Sequence, residues 1–303
     1  MRWDESLRKI ASGLGLLAVV GLLTAPVLAD GNAAVTDLDP TDYHTLDRPL
    51  GEHYAYSIDT GNRPNLTNSE ELVYQTTVSM ESAVWMRLFF GSVELGDGSY
   101  IRVTSLFDGE VQELNRAAAQ MWSNSTAYFN GESVLLEVVA GPQTEWNRVV
   151  LDEVDSYLVP FADRGPCADD DCGICGTDNR VLSSELWSGR IMNVGCTGSV
   201  YTEESCVVTA GHCASSNLVI QFNVPASASN CYPQNPPVAD QFPIVDQSYS
   251  NNGVGNDWAV MTTGTNSSGQ KPYDRYGVFI PLAVSAAQTA NPADIWGYGV
   301  DND

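Results

Sequence analysis

The sequence has 303 residues, of which 38 are Asp or Glu and only 14 are Lys or Arg, so its formal net charge is -24 at pH 7. So acidic a surface repels nucleic acid and anionic membranes, and the composition excludes both as expected partners. At ~150 residues per domain, the length allows two domains.

The N-terminal 29 residues have the composition of an export signal. Basic residues up to Lys9 precede an apolar run at 10–23, and Ala29 is the small residue before the expected cleavage position. The apolar run is shorter than the ~18 residues that a membrane-spanning helix needs. We therefore expect residues 1–29 to be removed as a signal peptide, which leaves a secreted or periplasmic protein that no longer touches the membrane.

Residues 30–70 are polar and rich in Asp, Asn, Thr and Pro. This composition predicts a loose leader with at most short strands, for example around 54–58. His44 and His53 lie here without cysteine or carboxylate neighbours at metal-ligand spacing. We interpret both as solvated loop histidines.

Residues 71–159 change to short β-rich runs separated by turn signals. The runs are 84–90, 100–106, 134–139 and 149–154, and the turns carry Asp-Gly, Asn-Gly or Gly-Pro. Regularly spaced runs of this kind predict a β-sandwich or jelly roll. Residues 110–121 have apolar positions in phase with a helix, although a loop crossing the sandwich is the alternative.

The segments Arg87-Leu-Phe-Phe90, Gly96-Asp-Gly-Ser-Tyr-Ile-Arg-Val103 and Phe129-Asn-Gly-Glu132 occur in an order that resembles the propeptide sandwich of bacterial lysyl-endopeptidase-like precursors. The resemblance implies a folding helper, an inhibitor or an accessory binding domain. We expect a self-contained sandwich that contacts the rest of the chain little except through its linker.

Residues 160–175 combine proline, glycine and an acidic run, which predicts a linker. The seven cysteines all lie between Cys167 and Cys231. In an exported protein disulfides are their default use, so we interpret Cys172-Gly-Ile-Cys175 as neither a zinc site nor a redox motif.

The domain that follows is expected at 176–303. Its opening, Gly176-Thr-Asp-Asn-Arg-Val181, resembles that of glutamyl-endopeptidase-like bacterial proteases, a branch of the trypsin fold. The apolar runs at 190–194, 198–201, 218–222 and 257–261 would then be strands of a first β-barrel, and 295–300 would begin a second. The expected fold class is therefore all-β, a sandwich followed by the first barrel of a trypsin-like double barrel.

Thr209-Ala-Gly-His-Cys213 follows the apolar run Cys206-Val-Val208, and Gly255-Asn-Asp-Trp-Ala-Val260 lies further downstream. The two segments resemble the histidine and aspartate motifs of chymotrypsin/trypsin-like serine proteases. The resemblance implies that His212 is the general base and Asp257 the carboxylate that orients it. It also implies a protein or peptide substrate and requires no metal or organic cofactor.

In the same family the cysteine after the histidine is bridged to an upstream one, which implies a Cys196–Cys213 disulfide. A Cys206–Cys231 bridge is compatible with the sequence. The partners of Cys167, Cys172 and Cys175 stay open.

The family's nucleophilic serine lies in a Gly-Asp/Asn-Ser-Gly-Gly segment downstream of the aspartate. Ser267, Ser268 and Ser285 lack this flanking pattern. We therefore expect the chain to stop before its nucleophile, so that 176–303 is a C-terminally incomplete protease domain that does not itself cleave peptides.

The leading hypothesis is a monomeric, secreted serine endopeptidase precursor of the zymogen type. The alternative is a non-catalytic secreted adhesion or binding protein with a degenerate protease domain. The sequence does not determine substrate preference or the activation site.

Overall fold

The structure, a computed structural model, describes residues 51–159, 181, 183–192, 194–227, 232–283 and 294–298. Within these residues the chain is all-β: two four-stranded sheets precede a closed six-stranded barrel. The signal peptide, the linker at 160–175, Ser285 and four of the seven cysteines lie outside the described residues.

Eight strands build the sandwich. They are β1 (Glu52–Asp59), β2 (Glu71–Ser79), β3 (Ala83–Glu94), β4 (Tyr100–Ser105), β5 (Val111–Asn115), β6 (Phe129–Asn130), β7 (Ser133–Ala140) and β8 (Arg148–Leu158). One antiparallel sheet has the order β1-β8-β3-β6 and the other β2-β7-β4-β5. Alternation along β4 shows how the sequence forms them, because Ile101 and Val103 are fully buried while Tyr100 and Arg102 are half-exposed. The expected sandwich is present.

The sandwich begins earlier than expected. The strand anticipated around 54–58 is β1, and it pairs along β8 with His53 opposite Asp155. Residues 52–59 therefore belong to the sandwich sheet, and the boundary expected at 71 is corrected. His53 is accordingly a strand residue and not a loop residue.

Residues 110–121 are neither one helix nor a loop. The first half is β5, which pairs with β4 so that Leu114 lies opposite Ile101. The second half is the short helix α1 (Arg116–Met121), and the Asn115 side chain caps it by accepting a hydrogen bond from the Ala118 N–H. Strand pairing prevailed over the helical spacing in the first half.

The barrel strands are β9 (Ser188–Met192), β10 (Cys196–Val200), β11 (Cys206–Thr209), β12 (Val219–Gln221), β13 (Gln241–Asn251) and β14 (Asp257–Thr263). They close in the order β10-β11-β14-β13-β12-β9. The expected strands are present, but β13 was not predicted. It contains Pro243, a residue that counts against a strand because proline removes a ladder donor.

The barrel interior is filled by apolar side chains from every strand. Those fully buried include Ile191, Val200, Val207, Ile220, Phe242 and Met261. Tyr276, at the end of helix α2 (Pro272–Tyr276), packs its ring on Phe222 and Phe242. This packed core gives the strand ends fixed positions.

The segment expected to open a second barrel is described at 294–298, where it forms no strand. It lies against the first barrel, since the Tyr298 N–H donates to Thr197 Oγ1 at 2.8 Å. The Trp296 ring meets Trp187 edge-on at 5.3 Å.

The expectation of few contacts between sandwich and barrel is wrong. Three barrel residues, Met192, Val219 and Val238, belong to the buried apolar cluster of the sandwich and are at most 1% exposed. Arg48 to Asp303 forms one compact unit. In the part of the chain that the structure describes, no helix is long and apolar enough to cross a membrane.

Candidate active site

His212 is held by the short chain segment that leaves β11. The strand ends at Thr209, and a 3₁₀ turn, Gly211–Cys213, carries the imidazole. Position 211 needs glycine because a Cβ there would collide with the backbone carbonyl of Ser250 and approach Asp257 Oδ1 to 2.9 Å. The backbone can therefore lie directly against β13 and Asp257.

Asp257 reaches the same place from the neighbouring strand. It is the first residue of β14, which runs between β11 and β13. Thr209 pairs with Ala259, so Asp257 lies two residues beyond the end of that pairing, beside the 3₁₀ turn. Barrel register thus brings the histidine and aspartate motifs together.

The two side chains are hydrogen-bonded. Asp257 Oδ2 lies 2.7 Å from His212 Nδ1, and Asp257 Oδ1 accepts the backbone N–H of His212 at 2.8 Å. One carboxylate therefore fixes both the ring and the backbone of the histidine. The expected contact between His212 and Asp257 is present.

The environment keeps Asp257 ionised. The hydrogen bond from the His212 side chain lowers the pKa of this carboxyl most. Burial opposes it as the next largest effect, and the backbone N–H groups of His212 and Gly211 each lower the pKa further by less. An ionised carboxylate only accepts, so Nδ1 must carry the ring proton, and in the neutral form of the imidazole Nε2 is the nitrogen with a lone pair. The imidazole side chain is 60% exposed. The arrangement can therefore remove a proton from a group that approaches from solvent.

The Cys196–Cys213 disulfide is present, with Cα atoms 6.1 Å apart. It ties the residue after His212 to β10. These two sulfurs and His212 form the trio of potential metal ligands found among the described residues, but bridged sulfurs offer no thiolate. Cys206 is free, so the Cys206–Cys231 bridge is not formed.

The two candidate serines that follow Asp257 in the chain lie far from this pair. Ser267 and Ser268 follow the opposite end of β14 from Asp257, and the strand alone spans ~20 Å at about 3.4 Å per residue. Among the described residues, no serine hydroxyl is hydrogen-bonded to His212. The geometry supports the expectation that neither serine is the nucleophile.

A second histidine–aspartate pair escaped sequence reasoning. His53 Nδ1 contacts the Asp155 carboxylate across the β1–β8 ladder, and the imidazole meets Phe89 edge-on at 6.1 Å. No local sequence motif indicates this pair, because His53 and Asp155 are far apart in the chain and are brought together only by the register of β1 and β8. The interpretation of His53 as a histidine without a carboxylate neighbour is therefore wrong.

Comparison with known proteins agrees with the barrel geometry. Residues 174–300 match the protein-family model described as Trypsin. This part of the chain has a trypsin/chymotrypsin-like serine-protease fold, and the match includes the barrel, His212 and Asp257 while leaving the sandwich outside. No curated protein matches the chain.

Proposed function

We propose that the protein is a secreted serine endopeptidase precursor in which His212 is the general base and Asp257 its orienting carboxylate. The observation that carries the proposal is the double hydrogen bond from Asp257 to the ring and backbone of an exposed histidine. The match of 174–300 to the trypsin family supports it. The substrate class is proteins or peptides.

The chemistry follows from this geometry. Nε2 of His212 takes the proton of a serine hydroxyl while the oxygen attacks a peptide carbonyl, and it later gives that proton to the leaving amine. Asp257 stabilises the imidazolium that forms in between. The tetrahedral oxyanion needs preorganised N–H donors. In this proposal the nucleophile and those donors lie outside the described residues.

Export is supported by two independent features. The first 29 residues have the basic and apolar pattern of a signal peptide. The Cys196–Cys213 bridge is typical of proteins in an oxidising compartment such as the periplasm or the extracellular space. Both fit a protease that acts outside the cytoplasm.

The proposal is tested by labelling the protein expressed from its complete gene with a fluorophosphonate, which reacts with activated serines and releases fluoride. We expect one labelled serine, located by peptide mapping, and loss of labelling in His212→Ala. The matched control is His53→Ala, which removes the other described histidine with an aspartate partner. A folded protein that takes up no label even after activation cleavage would instead support the non-catalytic binding protein.

A further inference from the structure

The sandwich meets the barrel through an edge strand that would otherwise be open. β6 (Phe129–Asn130) is the last strand of its sheet, and Tyr128 directly precedes it. Unpaired N–H and C=O groups on such an edge attract other strands, so they need a cover. Here the barrel provides it.

Gln241 covers this edge as a neighbouring strand would. The N–H of Tyr128 donates to Gln241 Oε1 and Gln241 Nε2 donates to the Tyr128 carbonyl, each at 2.9 Å. The Gln241 side chain is fully buried. One side-chain amide thus satisfies both backbone groups of a residue in the other domain.

A second amide repeats the arrangement from the sandwich side. Asn130 Nδ2 donates to the carbonyl of Asn235 at 3.0 Å, and the N–H of Asn235 donates to Asn130 Oδ1 at 2.9 Å. Nearby, the N–H of Val238 donates to Glu110 Oε2 at 2.8 Å. These hydrogen bonds join the sandwich to the barrel on both sides of Tyr128 in the sequence.

Arg87 extends the contact into the core. It is 1% exposed, and it donates to the Thr126 carbonyl, to Ser125 Oγ and, at 2.6 Å, to the carbonyl of Asn217 in the barrel. Removal of the barrel would leave a buried guanidinium without this partner, which is costly. Together with the apolar barrel residues in the sandwich core, this contact would leave buried polar and apolar groups uncovered if the two domains separated.

The Gln241 part of the interface lies away from the candidate active site, whereas Asn217 is five residues from His212 along the chain. Gln241 begins β13, whereas Asn251 ends it and pairs with Asp257. Ten steps of about 3.4 Å separate the two positions, or ~30 Å along the strand. His212 is 60% exposed while the sandwich is docked.

We infer that the sandwich is a permanent partner of the barrel that stays bound after the linker is cut, and not a detachable inhibitor that covers the active site. Its partner surface is the barrel face of the same chain around Asn217, Asn235 and Gln241. This inference does not depend on proteolytic activity.

The test uses the full chain with a recognition site for a sequence-specific protease inserted between Pro160 and Pro166. All seven cysteines lie at or beyond Cys167, so no disulfide holds the two pieces together after the cut. We expect them to co-elute in size-exclusion chromatography at low micromolar concentration, also at about 1 M salt because the contact is not ionic. Separate elution, or precipitation of either piece after cutting, would overturn the inference.

Matched variants test the hydrogen bonds assigned to the interface. Gln241→Ala should weaken the cut complex about 10- to 100-fold, since it leaves two buried backbone groups unpaired. Gln247→Ala removes the same side chain from the same strand, where it donates to the Ser215 carbonyl, and should leave the affinity unchanged. Asn130→Ala checks the result from the sandwich side if Gln241→Ala lowers the circular dichroism of the uncut chain. Equal affinities for Gln241→Ala, Asn130→Ala and Gln247→Ala would contradict the assigned interface.

Accessibility of His212 separates a companion from an inhibitor. We expect diethyl pyrocarbonate to modify His212 at the same rate before and after the linker is cut, as measured by peptide mass spectrometry. A rate that rises on cutting would mean that the sandwich shields the site, and the inference would fail.

Discussion

The barrel and the sandwich each pair one histidine with one aspartate, yet the pKa values of the two carboxyl groups are shifted in opposite directions. Asp257 has a lowered pKa, chiefly because the His212 side chain donates to it. Asp155 has its pKa raised to about 6, chiefly by burial, although His53 and Arg87 oppose the shift. The same two residue types therefore form electrostatically different sites.

The number of available donors explains the difference. Asp257 receives the ring N–H of His212 and backbone N–H groups of the 3₁₀ turn, and its side chain is 26% exposed. The Asp155 side chain is 6% exposed. The nearby Arg87 donates its N–H groups to backbone and hydroxyl oxygens and not to Asp155. A histidine partner alone does not keep a buried carboxylate ionised.

The largest expected effect is on kcat, and it should distinguish the His212–Asp257 pair from the His53–Asp155 pair. In the protein expressed from its complete gene, Asp257→Asn should lower kcat about 10⁴-fold, because an amide no longer holds the imidazole in the productive tautomer. Asp155→Asn should leave kcat unchanged. Peptide hydrolysis by the two variants checks this, and equal kcat values would remove the functional distinction.

Loss of the Cys196–Cys213 disulfide should have the next largest effect. This bridge fixes the turn that carries His212 and does not act on the His53–Asp155 pair. Replacing Cys196 and Cys213 together by serine frees a loop with a sequence separation of 17 and should lower the free energy of unfolding by about 3 kcal/mol. Cys206→Ser, at the free half-buried cysteine, is the control and should change it little. Urea denaturation measures both. A double variant as stable as wild type would show that the turn holds itself.

Asp155 should make stability depend on pH. Its folded-state pKa of about 6 exceeds the ordinary 3.8, so the folded protein binds the proton more tightly. The free energy of unfolding should then fall by at most about 3 kcal/mol as pH rises from about 4 to about 6.

Asp155→Asn should lose this dependence, and comparison with wild type at each pH cancels the contributions of other groups. Glu153 also raises the Asp155 pKa, so Glu153→Gln should reduce the dependence without abolishing it. A constant difference between wild type and Asp155→Asn across this range would contradict the raised pKa.

The two pairs also show what sequence can predict. His212 and Asp257 were identified because each lies in a short contiguous motif beside a strand. His53 and Asp155 were not, because β1–β8 register brings them together and nothing near either residue indicates it. Register is a property of the paired sheet and not of one segment.

The domain contact escaped prediction for a related reason. Gln241 and Tyr128 are 113 residues apart, and a single glutamine gives no sign in the sequence that it will cover a strand edge. The strand that carries Gln241 also contains Pro243, and proline counts against a strand in a sequence. Periodicity reveals which face of a strand is apolar, but not which polar side chains replace a missing strand.

The smallest expected effect concerns a third carboxylate, on the same strand as His53. Asp59 accepts two hydrogen bonds from Arg148, at 3.0 and 2.7 Å, and one from the Gly61 N–H at 2.9 Å. The Arg148 hydrogen bond is the main cause that lowers the pKa of Asp59 to about 2. Like Asp257 it is stabilised as an anion, but its side chain is 48% exposed.

Because the folded pKa lies below 3.8, the Asp59 contribution to stability is present above that value and is lost as pH falls towards about 2. Solvent and salt screen so exposed a pair. Asp59→Asn should therefore shift the urea midpoint at pH 7 less than loss of the disulfide does, and about 1 M salt should abolish the shift. Carboxyl NMR should still find Asp59 ionised at pH values where Asp155 is protonated. If Asp59→Asn lowers the midpoint as much as the double cysteine variant, exposure does not decide what a paired carboxylate contributes.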